Sequence, residues 1–60
     1  MAYSSMKRLI LNQNTKYNKG IIDEDSYNLW KDSTQNKLDV FLACDRLTQI
    51  QFEELTGLLL

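Results

Sequence analysis

The chain has 60 residues, a formal net charge of −1 and a pI near 5.1. A domain of this length buries only about 60% of the surface of its unfolded chain, which leaves little interior for a dry active site. It contains one cysteine, Cys44, and no histidine, so we expect no disulfide framework, no metal centre, no cofactor and no enzymatic activity.

The first helix is predicted over residues 5–18, with Ser4 or Ser5 as the N-cap. Gly20 is placed to end it in a left-handed conformation. Helical periodicity puts its apolar residues on one stripe, formed by Met6, Ile10 and Tyr17 with Leu9 flanking. The polar face opposite contains Arg8, Asn12, Thr15 and Lys19. Lys16 lies close to this face, so the candidate basic face consists of Arg8, Lys16 and Lys19.

The second helix is predicted over residues 23–43. Asp23 is its expected N-cap, and Glu24 and Asp25 complement the positive end of the helix dipole. Capping explains this acidic run better than cation binding, because the run lacks the ligand spacing of a calcium loop. The predicted core face consists of Tyr27, Trp30, Thr34, Leu38 and Phe41, bordered by Leu42. The predicted outer face consists of Asp25, Asn28, Asp32, Asn36 and Asp39.

The third helix is predicted over residues 48–57, because Thr48 and Gln51 have the spacing of a capping box. Phe52, Leu55 and Leu59 share its apolar face. Gly57 is expected to end the helix, which would leave Leu58, Leu59 and Leu60 as an apolar tail.

The second and third helices have similar starts, 25 residues apart. Each has an apolar residue before the cap and an aromatic residue at the fourth helical position, the pattern of a hydrophobic staple. These residues are Ile22 with Tyr27 and Leu47 with Phe52. Either an internal duplication or a pattern shared by unrelated helical hairpins would account for this similarity.

Together these elements predict an all-α fold, in which three helices are joined by short turns at residues 20–22 and 44–47. Short turns make neighbouring helices roughly antiparallel. Tyr27 and Trp30 are therefore interpreted as core residues rather than as a stacking platform, and Cys44 as a small apolar residue at a helix end.

Several apolar residues do not belong to the predicted core stripes. Leu29 and Val40 leave the core face of the second helix, and Leu11 leaves that of the first. We therefore identify a candidate interface consisting of Leu29, Val40, Leu58, Leu59 and Leu60. The alternative is that such residues are scattered singly over the surface, which is normal.

Charge is unevenly distributed along the chain. Residues 1–20 contain four basic and no acidic side chains, whereas residues 21–60 contain three basic and eight acidic ones. The candidate basic face could bind nucleic acid, but the acidic pI argues against this function. A solvated basic face attracted to an acidic protein is the preferred interpretation.

The hydropathy pattern predicts neither a membrane span nor an export signal. The apolar runs at residues 9–11 and 58–60 are far shorter than the roughly 20 residues of a transmembrane helix. A secretory signal is not expected because Asn12, Gln13 and Asn14 interrupt the apolar stretch after Lys7 and Arg8. A cytoplasmic location is therefore expected.

The segment from Val40-Phe41 through Thr48 to Thr56-Gly57 resembles the end of the XkdX-type proteins encoded among phage and prophage tail genes. The resemblance covers residues 40–57, with Asp45 at the position where the family has a turn glycine. Residues 20–30 similarly resemble the SHOCT helical-hairpin modules, which are appended to bacterial proteins as interaction or oligomerisation elements.

The XkdX resemblance implies a phage accessory protein located in the host cytoplasm or associated with the virion. The expected function is then a protein-interaction module that self-associates, as a homo-oligomer, or docks on a larger assembly. The alternative is a phage-encoded regulator or inhibitor that binds a host protein or nucleic acid.

Overall fold

The computed structural model describes residues 2–60, which form three α-helices and no β-strand. The helices are α1 (Ala2–Asn18), α2 (Glu24–Ala43) and α3 (Gln49–Leu58). This arrangement confirms the predicted all-α fold with three helices and short turns.

Two predicted helix ends are wrong. Helix α1 begins at Ala2 rather than at residue 5, so neither Ser4 nor Ser5 caps it. Ala2 and Tyr3 pack against the core, and this tertiary contact extends the helix beyond the cap signal. Helix α3 continues through Gly57 to Leu58.

The N-terminal caps of α2 and α3 confirm the sequence predictions. The Asp23 carboxylate accepts a hydrogen bond from the Ser26 amide at 2.8 Å. Thr48 and Gln51 form a reciprocal capping box, with both hydrogen bonds at 3.1 Å. These side chains satisfy amide donors that have no partner within the helix.

Helices α1 and α2 end in the same way, in a Schellman motif with a left-handed residue. At the end of α1 this residue is Gly20, with φ of 75°, and the Ile21 amide donates to the Lys16 carbonyl at 2.9 Å. At the end of α2 the equivalent residue is Asp45, with φ of 60°. The second motif therefore places a residue with a Cβ in a conformation that favours glycine.

Contacts between the helices show that α2 runs antiparallel to both neighbours. Near the beginning of α1, Met6 shares a groove with Phe41 from the last turn of α2. Near the other end of α1, Asn14 accepts a hydrogen bond from Tyr27 in the second turn of α2. Lys31 of α2 donates to the main-chain oxygen of Leu60, just beyond α3.

The core contains residues from all three helices and from the second turn. Its buried apolar side chains are Met6, Ile10, Tyr27, Leu38, Leu47 and Leu55. Thr34 is also buried, while Trp30 and Phe41 are partly buried and pack against the core, so the predicted core face of α2 is correct. The Tyr27 ring lies 4.8 Å from Tyr17 and 5.5 Å from Trp30 between centroids.

The second predicted staple lies within the core, where Leu47 is buried and Phe52 packs against the same cluster. Leu9, which was predicted to flank the apolar stripe of α1, is 55% exposed. The buried residues of α1 are Met6 and Ile10.

Candidate interaction surface

Shallow grooves, open to solvent, mark the surface of residues 2–60. One groove of about 460 Å³ is lined by Ala2, Ser5, Met6, Phe41 and Arg46. Another of about 460 Å³ lies along α1, and a third of about 300 Å³ lies on α2. Residues 2–60 contain no group of three His, Cys, Asp or Glu side chains able to hold a metal ion. These three grooves therefore offer open contact area rather than an enclosed ligand cavity.

The outward face of α2 contains a line of exposed residues that we call the α2 seam, consisting of Leu29, Ser33, Asn36 and Val40. Leu29 is 73% exposed and Val40 is 57% exposed, and Ser33 and Asn36 are also exposed. Their spacing of four, three and four residues keeps them on one helix face. The two candidate interface residues predicted on α2 are thus brought onto one continuous strip.

The two edges of the α2 seam differ in charge. Asp25, Asp32 and Asp39 recur every seven residues along one edge, and all three are exposed. Lys37 lies on the other edge, where it lines the same groove as Val40 and Phe41. Because Phe41 also lines a groove with residues of α1, the basic edge of the seam adjoins α1.

The candidate basic face on α1 is exposed as predicted. Arg8, Lys16 and Lys19 are all accessible, and within residues 2–60 none of them forms an ion pair with an acidic side chain. The groove along α1 is lined by Arg8, by Asn12 and by Leu11, which is exposed as predicted. This side of the molecule is therefore positively charged, although the chain as a whole is acidic.

Lys7 lies outside the basic face because it contacts α3. Its ammonium group lies 3.4 Å from the Glu54 carboxylate, and the Tyr3 hydroxyl donates a hydrogen bond to the same carboxylate at 2.5 Å. The hydrogen bond from Tyr3, together with Lys7, lowers the pKa of Glu54. Hydrogen bonds to Tyr3 and Glu54 raise the pKa of Lys7. These groups join α1 to α3 at the surface.

A polar network joins the residues after α3 to the other two helices. The Tyr27 hydroxyl donates to Asn14 at 2.6 Å and accepts from the Leu60 amide at 3.0 Å. The Asn14 side chain also donates to the Leu58 carbonyl at 2.8 Å, and Lys31 donates to the Leu60 oxygen at 2.6 Å. The buried Tyr27 of α2 thus connects α1, through Asn14, with Leu60 after α3.

This network corrects the prediction of a free apolar tail. Leu58 belongs to α3, and both Leu58 and Leu59 are partly buried against the core. Leu60 is 54% exposed. The five candidate interface residues therefore do not form one patch, because Leu58 and Leu59 mainly stabilise the fold while Leu29, Val40 and Leu60 are exposed.

Sequence reasoning did not select two strongly exposed apolar residues, Ile21 and Ile50. Ile21 is 67% exposed in the turn after α1, and Ile50 is 77% exposed in the first turn of α3. The sequence could have indicated the exposure of Ile50. Once the Thr48 cap fixes the start of α3, Ile50 lies about 140° from the core residue Leu55 on a helical wheel.

The remaining candidates have local roles. Asp23 acts as a helix cap, and the hydrogen bond from the Ser26 amide lowers the pKa of its carboxyl group. Cys44 is the C-cap residue of α2, as its predicted position at a helix end requires, and its side chain is exposed.

Among residues 2–60, no helix combines the length and the apolar character needed to cross a membrane. Comparisons with protein-family models, with curated proteins and with solved structures found no match to this chain.

Proposed function

We propose that this protein is a non-catalytic interaction module that binds another protein, as an accessory component of a phage or prophage assembly. The main support is the exposure of large apolar side chains on a compact molecule. Its accessible surface is 4230 Å², close to the roughly 4,000 Å² expected for a compact monomer of this mass. The exposed apolar residues therefore do not result from loose packing.

Leu29 and Val40 carry this proposal because they lie on one face of one helix. Single exposed apolar residues need no explanation, but two on the same seam, with small polar residues between them, form a surface that a partner helix could cover. The resemblance of residues 40–57 to XkdX-type proteins supports the phage context.

Affinity capture with matched variants tests this function. Tagged wild-type protein, the Leu29→Ser/Val40→Ser double variant and an Ile50→Ser control are each incubated with nuclease-treated host lysate. We expect a protein that is retained by the wild type and by Ile50→Ser but not by the double variant. Equal retention by all three, or no retained protein, contradicts the proposal.

The identity of the captured protein separates the two biological contexts. Tail or baseplate proteins support an accessory role in the particle. A host enzyme or transcription factor instead supports a regulator or inhibitor.

Nucleic-acid binding is a second candidate, favoured by the exposed basic face of Arg8, Lys16 and Lys19. Binding to a DNA duplex should then weaken steeply with salt, and replacing all three residues with alanine should reduce the salt dependence. Absence of binding at low salt removes this candidate.

A further inference from the structure

The α2 seam has the residue spacing of a two-helix interface. Leu29, Ser33, Asn36 and Val40 are separated by four, three and four residues, the alternation of the contact positions in a coiled coil. Ala43 continues the same spacing after Val40. All five residues are exposed, so this face of α2 is not used in packing against α1 or α3.

The charges beside the seam make it complementary to itself. Asp32 and Asp39 immediately precede the seam residues Ser33 and Val40 at one edge, which Asp25 extends by seven residues, and Lys37 follows Asn36 at the other edge. When two such helices pack in parallel, the acidic edge of each faces the basic edge of the other. Asp32 of one copy then lies opposite Lys37 of the second copy, and the pair occurs twice by symmetry.

The antiparallel arrangement lacks this complementarity. It places each acidic edge against the acidic edge of the second copy, so Asp32 approaches Asp39 and like charges repel. The edge charges therefore select the parallel orientation. Asn36 favours the same choice, because a parallel, in-register pair places the two Asn36 amides side by side, where they can hydrogen-bond.

We propose that the α2 seam is the interface of a parallel homodimer, in which two copies of the chain pack side by side along their second helices. This inference rests on the proposed function and names a second copy of the chain as one partner of the interaction module. Within each copy, Lys37 is the basic residue that the seam edge presents to the acidic edge of the other copy.

The size of the molecule limits the strength of this dimer. The whole molecule extends only 34 × 17 × 16 Å, so one face of one helix offers less contact area than the roughly 800 Å² per partner of a standard specific interface. Two of the seam positions are also polar. We therefore expect weak association that depends on concentration, with the dimer populated mainly toward millimolar concentrations.

Sedimentation equilibrium over concentrations from about 10 µM to 1 mM tests the proposal, with circular dichroism to verify that each variant is folded. We expect wild-type protein to approach the dimer mass at the high end of this range. Leu29→Ser should raise the dissociation constant at least tenfold because each dimer loses two apolar side chains. Ile50→Ser removes an equally exposed apolar residue on α3 and should leave the constant unchanged.

Charge reversal tests the orientation. Asp32→Lys and Lys37→Asp should each weaken the dimer several-fold, and the double variant Asp32→Lys/Lys37→Asp should restore wild-type affinity because the pair is regenerated in reverse. A stronger dimer with Asp32→Lys overturns the parallel arrangement. A monomer at 1 mM, or a dimer insensitive to Leu29→Ser, overturns the dimer itself. The capture experiment tests the proposed function separately. A chain that is monomeric at 1 mM overturns the dimer, but the proposed function still holds if the wild type retains a protein that the Leu29→Ser/Val40→Ser variant does not.

Discussion

Replacing Gly20 and Gly57 in turn with alanine compares the same substitution in a left-handed and in a right-handed helical backbone conformation. Gly20 has φ of 75° in the Schellman motif after α1, whereas Gly57 lies inside α3. Apart from the adjacent residues and, for Gly57, the backbone of its own helix, a Cβ atom added at either position would meet no atom within 4 Å. The effect of each substitution on stability therefore reports backbone conformation without a steric contribution.

The two substitutions should change the free energy of unfolding in opposite directions. For Gly20→Ala, the left-handed conformation costs about 1–2 kcal/mol for a residue with a Cβ, and the reduced entropy of the unfolded chain offsets about 0.4–1 kcal/mol. A net destabilisation of about 1 kcal/mol follows. For Gly57→Ala, the gain in helix propensity should stabilise the fold by about 0.5–1 kcal/mol.

Thermal and urea unfolding of the two variants measure this difference. In a domain of this size 1 kcal/mol corresponds to a shift in Tm of about 4–8 °C, so the two Tm values should lie on opposite sides of the wild-type value and about 10 °C apart. Asp45→Gly, at the equivalent position after α2, should stabilise the fold by a few tenths to about 1 kcal/mol. Shifts of the same sign for Gly20→Ala and Gly57→Ala would refute the assigned conformations.

Three further substitutions test the polar contacts. Tyr27→Phe should destabilise the fold by about 1–3 kcal/mol in urea unfolding because it leaves the Leu60 amide without its partner. Tyr17→Phe is the control and should have little effect, because the Tyr17 hydroxyl forms no hydrogen bond within residues 2–60. Equal losses of stability in the two variants would contradict the network. Thr48→Ala should cost about 1 kcal/mol through the lost capping box, and an unchanged urea midpoint would show that the cap is dispensable. The pKa of Glu54 is lowered in the folded state, so its stabilising contribution is complete above the ordinary carboxyl pKa of about 4 and is lost as the pH falls through the lowered value. Glu54→Gln should therefore reduce the stability at pH 7, with the difference from wild type disappearing in acid; a difference that persists at pH 2 would contradict this assignment.

Local signals in the sequence predicted most of the fold. Asp23, Thr48 and Gly20 act through hydrogen bonds or backbone conformation within a few residues, so their roles could be identified without knowledge of the tertiary structure. The apolar spacing of α2 likewise predicted its core face, since a helix packed between two neighbours buries a wide stripe.

The errors occurred where contacts distant in sequence determine the result. The start of α1 depends on the packing of Ala2 and Tyr3 against other helices, and the position of Leu58 and Leu59 depends on Asn14 and Tyr27. Neither contact has a local sequence signature. The α2 seam was only partly predicted. The sequence identified Leu29 and Val40 as exposed, but which edge of the seam lies next to α1 depends on the tertiary structure.

The most direct test of a functional α2 seam is a series of ¹⁵N-HSQC spectra of labelled protein, recorded during dilution and after addition of a captured partner. We predict chemical-shift changes at the amides of Ser33, Asn36 and Val40, with little change around Ile50 on α3. Changes confined to α3, or spectra that depend on neither concentration nor partner, would contradict the assignment of the α2 seam as the functional surface.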